Sequence, residues 1–416
     1  MTTRLDAQLL DSKSVNWSAH IDELRSRLGA PHNPELFPPH FLKSTFPKIG
    51  GRVVVFRDQH IFFGAGFLFP RALTRDIQEF TLRFHKANAD VQVTPQEMTD
   101  AAARLVGKSN ITFYEPTKAQ FLQHPAHTRS ESVKLDRPNL EQAQSIRALQ
   151  QQIWQSQPDD LYPFDIHASN FNLATSLIAT SNGAPVGFLF GFYKFGGSNL
   201  PAEWQAQFST GLRVESQVMG VLPGHRNHSI GLMLKKQQSE NALREGIPIV
   251  NWTVDPLQYA NAVLNFGRLK AIAFDHYPDH HPFRNALNQV TASRFGITWL
   301  IPSKRVKEAC SVTQRATIWR LTGNSTIPRI SLGETVIPTS APPVTIAIEI
   351  PSDWNSFQNR NPQMAQIVRD RTDRFFQNYL GYEQGKYIIT GVGEDGDLKY
   401  LIAERVSKEL LERLSA

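Results

Sequence analysis

One cysteine in 416 residues is the chain's plainest scarcity. Cys310 alone can form no internal disulfide and cannot supply a multi-thiolate metal site, which excludes both a disulfide scaffold and a zinc ribbon. Basic residues surround it in "SKRVKEACSV", but a lone cysteine is ordinarily a small core or surface residue. Long apolar runs are scarce too. The longest, "IFFGAGFLF", is about nine residues, against the roughly twenty a spanning helix needs. The opening "MTTRLDAQLLDSKS" has no basic-then-apolar order of a secretion signal. A cytoplasmic protein with no membrane attachment is expected. No Lys/Arg block is found either: the net charge of +6 comes from 44 basic and 38 acidic residues spread along the chain. No nucleic-acid partner is expected, and an anionic small ligand fits the modest excess at least as well.

What remains is ordinary globular material, 41% hydrophobic, 10% aromatic and 20% charged. The length suits two or three domains, each with its own core. Residues 1–132 read as an α/β region with a helix near residues 20–28 and a hairpin, "RVVVF" then "IFFGAGFLF". "TPQEMTDAAARLVG" follows as a helix with Thr94 as N-cap, Pro95 at its first position and Glu97 closing a capping box. Polar residues 123–136 read as a linker. "NLEQAQSIRALQQQIWQ" has Leu140, Ala143, Ile146, Leu149 and Ile153 on one helical face. "LATSLIAT" and "PVGFLFGFYKF" flank the turn "SNGA" as a second hairpin. The string "GFLF" at 66–69 and again at 187–190 raises the possibility of a duplication.

"LRVESQVMGVLP" is a strand, "IPIVNWTV" another, and "KAIAFDHY" and "RFGITWLI" two more. "DPLQYANAVLNFGRL" reads as a helix capped by Asp255, with Leu257, Ala260 and Leu264 inward. "GVGEDG", at 391–396, matches a dinucleotide-loop pattern literally, but the strand-like "DLKYLIAE" after it makes it a hairpin turn. The tail, 306–416, reads as an α/β extension.

The stretch "VMGVLPGHRNHSIGLMLKKQ" carries the chemistry. A strand that ends in a small-residue turn and continues into a helix aims several backbone N–H groups at one spot, and the helix dipole adds positive potential there. Gly224 and Gly231 allow close approach of a ligand, and His225, Arg226 and His228 can donate to phosphate oxygens. A plain connection with solvated basic residues would look alike.

Here the chain resembles the GNAT (Gcn5-related N-acetyltransferase) superfamily, over residues 133–305. That family's acyl-CoA signature is Q/R-x-x-G-x-G/A at the turn from its fourth strand to its third helix. "RNHSIG", with Arg226, Asn227, His228, Ser229, Ile230 and Gly231, follows it except that Ser229 replaces the first glycine. The order helix, hairpin, strand, cradle, helix, strand, helix, strand, strand also agrees. "IEIPSDW" in the tail is similar to a C-terminal extension found in one group of predicted GNAT proteins. The resemblance implies a mixed α/β central sheet flanked by helices, between an N-terminal α/β region (a degenerate GNAT-like half, if the duplication is real) and the C-terminal α/β extension. It implies acetyl-CoA or another acyl-CoA as co-substrate and a small-molecule or peptide amine as acceptor. The pyrophosphate would sit on residues 226–231, the pantetheine arm along Met219, Gly220 and Val221, and Asn261 near that arm.

Acyl transfer to an amine needs an uncharged nucleophile, a polarised carbonyl and a protonated leaving thiolate. Glu215 is the candidate base. A period of two puts it on one strand face with Gln217, Met219 and Val221, and apolar neighbours would raise its pKa. The family's usual tyrosine acid is replaced by Phe266, leaving Tyr277, with Tyr259, His276 or solvent as alternatives. The loop "FDHYPDHHPF" gathers His276, His280, His281, Asp275 and Asp279, but Pro278 and Pro282 break a helical ligand spacing and no metal is expected. Together with "DDLYPFDIH", this acidic-aromatic loop suits a cationic acceptor. A non-catalytic acyl-CoA-binding or regulatory module is the rival reading, and transfer to a carrier-protein thiol or from an aminoacyl donor a third. Acceptor identity and oligomeric state stay open.

Overall fold

The computed structural model describes residues 5–29, 38–58, 60–74, 77–87, 93–107, 109–116, 133–154, 161–171, 175–196, 200–208, 211–226, 228–281, 288–311, 316–323, 326–337 and 342–416. In chain order the elements begin with β1 (Leu5–Leu10), α1 (Trp17–Arg27), α2 (Phe46–Lys48), β2 (Arg52–Asp58), β3 (Ile61–Thr74), β4 (Ile77–Lys86), α3 (Pro95–Val106) and β5 (Ser109–Tyr114). β6 (Lys134–Asp136), α4 (Leu140–Trp154), β7 (Leu177–Ser181), β8 (Ala184–Phe195), α5 (Ala202–Phe208), β9 (Leu212–Val221), α6 (Ile230–Arg244) and β10 (Ile249–Val254) follow. Then come α7 (Tyr259–Ala262), β11 (Ile272–His281), β12 (Ala292–Leu300), α8 (Lys304–Ser311), β13 (Trp319–Arg320) and β14 (Arg329–Ile330). The last are β15 (Thr345–Ile350), α9 (Trp354–Arg360), α10 (Pro362–Tyr379), β16 (Tyr387–Asp395), β17 (Leu398–Arg405) and α11 (Lys408–Ser415). This is a mixed α/β chain, and from α4 to β12 the order helix, hairpin, strand, helix, strand, helix, strand, strand expected from the sequence is present, with α5 inserted between the hairpin and β9.

The chain folds as two compact units. The first is Met1–Gly197 with Gly211–Asn241, the second Ser198–Thr210 with Ala242–Ala416. The first unit holds the strand orders β1-β2-β3-β4-β5 and β9-β8-β7-β6. Both use the same plan. A strand pairs antiparallel with the first strand of a hairpin, a helix lies between them in sequence, and a further antiparallel strand follows the hairpin. The two "GFLF" strings occupy the same place in that plan. Gly66 on β3 pairs with Val54 and Phe84, and Gly187 on β8 pairs with Ala179 and Val221. β4 then runs parallel to β5, connected through α3. Sequence segments 123–132 lie outside the described residues, but residues 134–136, read as linker, are strand β6 and pair with β7.

Apolar faces fix these layers. Val54, Phe56, Phe63, Leu68, Phe80, Leu82 and Phe84 bury against Met98, Ala101 and Ala102 of α3. Each such phenylalanine contributes about 1.5–3 kcal/mol by leaving water. α4 buries Leu140, Ala143, Ile146 and Leu149, the face expected from its spacing. Ile146 and Leu149 pack on Ile178 and Phe188, while Leu189 and Val186 on the opposite face of that sheet meet Ile230 and Leu234 of α6.

In the second unit the strands run β14-β15-β17-β16-β11-β12-β10. One core joins Trp204 and Phe208 of α5 to Ile249, Ile272, Phe274, Ile388 and Leu410, Leu411 and Leu414 of α11. "GVGEDG" lies in the β16–β17 hairpin, as expected. The helix expected from residue 256 starts only at Tyr259, continues as a π-helical turn over Val263–Arg268, and exposes Ala260. Its buried residues are Ala262, Asn265 and Phe266, because the wider π turn rotates the face by which a 3.6-residue period would have packed. β11 also reaches past the expected strand end, through His281, with an irregular register between Tyr277 and His281.

Candidate functional site

Within the first unit, β9 ends at Val221 and a 3-10 turn over Pro223–His225 leads toward α6. Arg226 Nε donates to the Val221 carbonyl at 3.3 Å, folding that side chain back over the strand end. Asn227 lies outside the described residues. Ser229 holds a left-handed backbone, φ 59°, and its carbonyl accepts the Met233 N–H at 2.9 Å, so it is the boundary residue of α6. That conformation costs a non-glycine residue about 1–2 kcal/mol, which gives the physical reason a glycine suits this position in the signature.

The first N–H groups of α6 have no partner inside the helix, and its first turn carries no acidic residue. A Cβ on Gly231 would meet nothing closer than the flexible Met219 tip, with Cε at 3.5 Å and Sδ at 3.8 Å. The matching junction of the first sheet, β4 to α3, is built in the opposite sense. Pro95 removes one N–H, and Thr94 and Glu97 close a capping box that places a carboxylate on the helix start. The start of α6 therefore lacks the carboxylate that the start of α3 carries.

β9 is not a regular strand. Phe190 pairs with Val218 and Gly191 with Ser216, so Gln217 is an extra residue opposite none. Gly191 fits closely there, since a Cβ would lie 3.0 Å from the Glu215 carbonyl oxygen and the neighbouring backbone would have to give way. The bulge overturns the expected common face. Glu215 pairs with Phe192 and so shares its face, whereas Met219 pairs with Leu189 and lies with Val221 on the α6 side. Nor are the neighbours of Glu215 wholly apolar: Lys194 Nζ is 3.9 Å from its carboxylate.

The Glu215 face is roofed by the turn over Phe164–His167 and the residues before it. Tyr162 stacks its ring edge on Phe190, 5.8 Å between centroids, and lies 6.1 Å from Phe192. Its hydroxyl hydrogen-bonds the side chains of Gln217 and Thr45, and burial pushes its pKa up to about 12. The His167 ring sits 4.0 Å from that of Phe190, and neither ring nitrogen has a hydrogen-bond partner among the described residues. Burial, then the nearby Arg147, lowers its pKa to about 3, so the imidazole is neutral. Arg83 from β4 fastens this turn by pairing with Asp165.

On the α6 side of β9, Lys235 Nζ donates to Ser216 Oγ at 2.9 Å. Lys235 is almost wholly buried, which lowers its pKa to about 7 although the Glu215 charge opposes the shift. One turn on, the buried Gln238 amide has neither atom satisfied among the described residues.

Asn261 and Tyr277 belong to the second unit. Asn261 is exposed on α7, and Tyr277 is 44% exposed on β11. Phe266 is buried in the π turn. His276 Nε2 contacts Asp373 Oδ1 at 3.1 Å, and no group of three or more His, Cys, Asp or Glu residues is placed to hold a metal among the described residues. The structure thus gathers Glu215, Met219, Gly220, Val221, Arg226, His228, Ser229, Ile230 and Gly231 in one unit. Gln217 and, from the stretch "DDLYPFDIH", Tyr162 join them, and so does Lys194, which the sequence does not single out. Gly191 inside an aromatic strand was the signal available, since a strand glycine often marks a bulge or a close backbone approach.

No family model matches the chain, and no curated protein matches it. It is similar to solved structures of Arabidopsis thaliana Naa50 in complex with the bisubstrate analogue CoA-Ac-MVNAL (14% identity, 40% of this chain, 97% of that chain, TM-score 0.32). The ribosomal-protein-S18-alanine N-acetyltransferase from Escherichia coli is similar at 11% identity, over 40% of this chain and 92% of that one, with a TM-score of 0.30. An acetyltransferase of the GNAT family from Streptococcus pneumoniae is similar at 12% identity, over 40% and 98% of the two chains, with a TM-score of 0.30. Likeness at these values is partial and transfers no activity to this chain.

Proposed function

We propose that the chain is an acyl-CoA-dependent N-acyltransferase of GNAT type, using acetyl-CoA or another acyl-CoA and an amine acceptor. Residues 133–305 form its acyltransferase domain, 1–132 a degenerate copy without a donor site, and 306–416 an extension. The observation that carries this reading is the β9–α6 junction, with left-handed Ser229 at the signature position and no acidic residue in the first helical turn. The donor's pyrophosphate would be held by the backbone of residues 226–231, with Asn227 among them and Arg226 and His228 adding charge. Met219, Gly220 and Val221 would align the pantetheine arm, one of their N–H groups polarising the carbonyl, and Asn261 would contact the arm. The thioester supplies an activated acyl group. Glu215 takes the amine proton and Tyr277 returns one to the leaving sulfur.

The non-catalytic binding module stays as a second reading because buried Phe266 can donate no proton. Gly231→Asp tests the shared premise. Space at Gly231 admits a side chain, so the variant should keep its unfolding midpoint. A carboxylate there should repel the phosphates and lower acetyl-CoA affinity beyond calorimetric detection. Unchanged affinity in the folded variant would remove the donor site from this junction.

A further inference from the structure

α6 changes character where it crosses the bulge in β9. Its first buried residues, Ile230 and Leu234, are apolar and belong to one core with Val186 and Leu189. Lys235, Gln238 and Ser239 follow, polar and also buried. Lys235 and Gln238 are three residues apart, so they share one face of the helix. Both reach the same rung of the β8–β9 ladder. Lys235 Nζ donates to Ser216 Oγ at 2.9 Å, and the Gln238 side-chain nitrogen lies 3.1 Å from where a Cβ on Gly191 would stand. Ser216 and Gly191 are cross-strand partners, and the extra residue Gln217 comes next on β9.

An extra residue interrupts the backbone ladder, and side-chain bonds can fix the segment in its place. On the roof side, the Gln217 side chain bonds the buried Tyr162 hydroxyl. On the α6 side, the bond from Lys235 to Ser216 is the matching anchor. That anchor has a cost. Burial lowers the Lys235 pKa to about 7, so the residue weakens the fold at neutral pH. An apolar side chain of similar length would pack there without it. A residue that weakens the fold and bonds a strand irregularity is explained by what it does to the irregularity, not by its packing. Glu215 immediately precedes Ser216 and faces the other way, paired with Phe192.

From this placement we infer that Lys235 is a positioning residue: through Ser216 it holds the bulge of β9, and the bulge presents Glu215 on the roofed face. For the role of Glu215 the inference rests on the proposed acyl transfer, so the test reads the bulge and the turnover separately. Hydrogen exchange of the full chain, followed by mass spectrometry, needs no acceptor. In Lys235→Met and in Ser216→Ala the β9 segment around Gln217 should exchange about tenfold faster, the scale of one lost hydrogen bond. Lys235→Met should lower kcat about tenfold or more, leave the KM for acetyl-CoA unchanged, and keep or raise the unfolding midpoint at pH 7. A purely structural role would lower kcat and midpoint together. Lys235→Gln, whose amide can still donate to Ser216, should recover the slow exchange and part of kcat. Ser216→Ala added to Lys235→Met should change little further, because both remove the same bond. Unchanged exchange in Lys235→Met, a kcat loss that tracks a lower midpoint, or Lys235→Gln behaving as Lys235→Met would each overturn the inference. A wild type that turns over no amine would instead defeat the acyl-transfer reading, and exchange would still decide whether Lys235 holds the bulge.

Discussion

Arg83 and Asp165 form a two-point ion pair across 82 residues of sequence, Nε to Oδ2 at 2.9 Å and Nη2 to Oδ1 at 3.0 Å, with the arginine side chain wholly out of water. His85 completes the group by contacting Arg83 Nη1, and burial followed by the Arg83 charge lowers its pKa to about 2. The pair ties β4 of the first sheet to the turn that carries Tyr162 and His167. Asp165→Asn leaves a buried guanidinium short of its charge partner, and should cost about 3–5 kcal/mol in urea unfolding. Replacing both members with apolar residues, Arg83→Met with Asp165→Leu, should cost less than the single change. A single change within 1 kcal/mol of wild type would show that the pair does not hold the turn.

Lys235 makes a prediction about pH. An unfolded lysine keeps its proton to about pH 10.4, whereas burial brings folded Lys235 to about 7. Between those values unfolding takes up a proton, so this group lowers stability as pH falls from about 10 to 7 and adds no further slope below. The slope is at most about 1.4 kcal/mol per pH unit. Lys235→Met should flatten stability against pH over that window and raise stability at pH 7. Urea midpoints measured from pH 7 to 10 decide it. Parallel curves for variant and wild type would mean that Lys235 is protonated in the fold throughout.

Glu215→Gln addresses the base. The amide keeps the shape and the contact with Lys194 but cannot accept the amine proton. Turnover should fall about a hundredfold, the ordinary scale for a general base, and the acidic limb of the rate profile should vanish. Acetyl-CoA affinity should hold. A retained limb would move the base role to water or another residue.

These sites differ in how far local sequence could reveal them. Thr94, Pro95 and Glu97 announce the start of α3 because a capping box is complete within four residues. Leu140, Ala143, Ile146 and Leu149 announce the buried face of α4 for the same local reason. The Gln217 bulge is different in kind: it exists only in the register of β9 against β8, so no period counted along β9 could locate it. Asp255 has the sequence context of a helix cap, but it also accepts from Arg369 at 2.7 Å, 114 residues away. Its carboxylate bonds the Leu257 N–H, and the helix begins only at Tyr259. Lys194 opposite Arg213 likewise required knowing which strands pair.

Phe266 poses the last question, because it stands where the GNAT resemblance leads one to expect a proton-donating tyrosine. Its ring is buried in the π turn and has no hydroxyl, so the leaving sulfur must receive its proton elsewhere or depart as an anion. Tyr277 is the proposed donor, half-exposed on β11. Tyr277→Phe removes only a hydroxyl from an exposed side chain, and a melting curve checks that the fold is kept. Turnover should fall about a hundredfold, with acetyl-CoA affinity unchanged and the basic limb of the rate profile lost. Phe266→Tyr in that background should recover part of the rate. The added hydroxyl is buried, so a stability loss of about 1–3 kcal/mol should accompany it unless it finds a partner. If Tyr277→Phe is silent and Phe266→Tyr restores nothing, no side chain at either position serves as the acid. Solvent protonation, or the binding-module reading, would then account for the chain better than a tyrosine donor does.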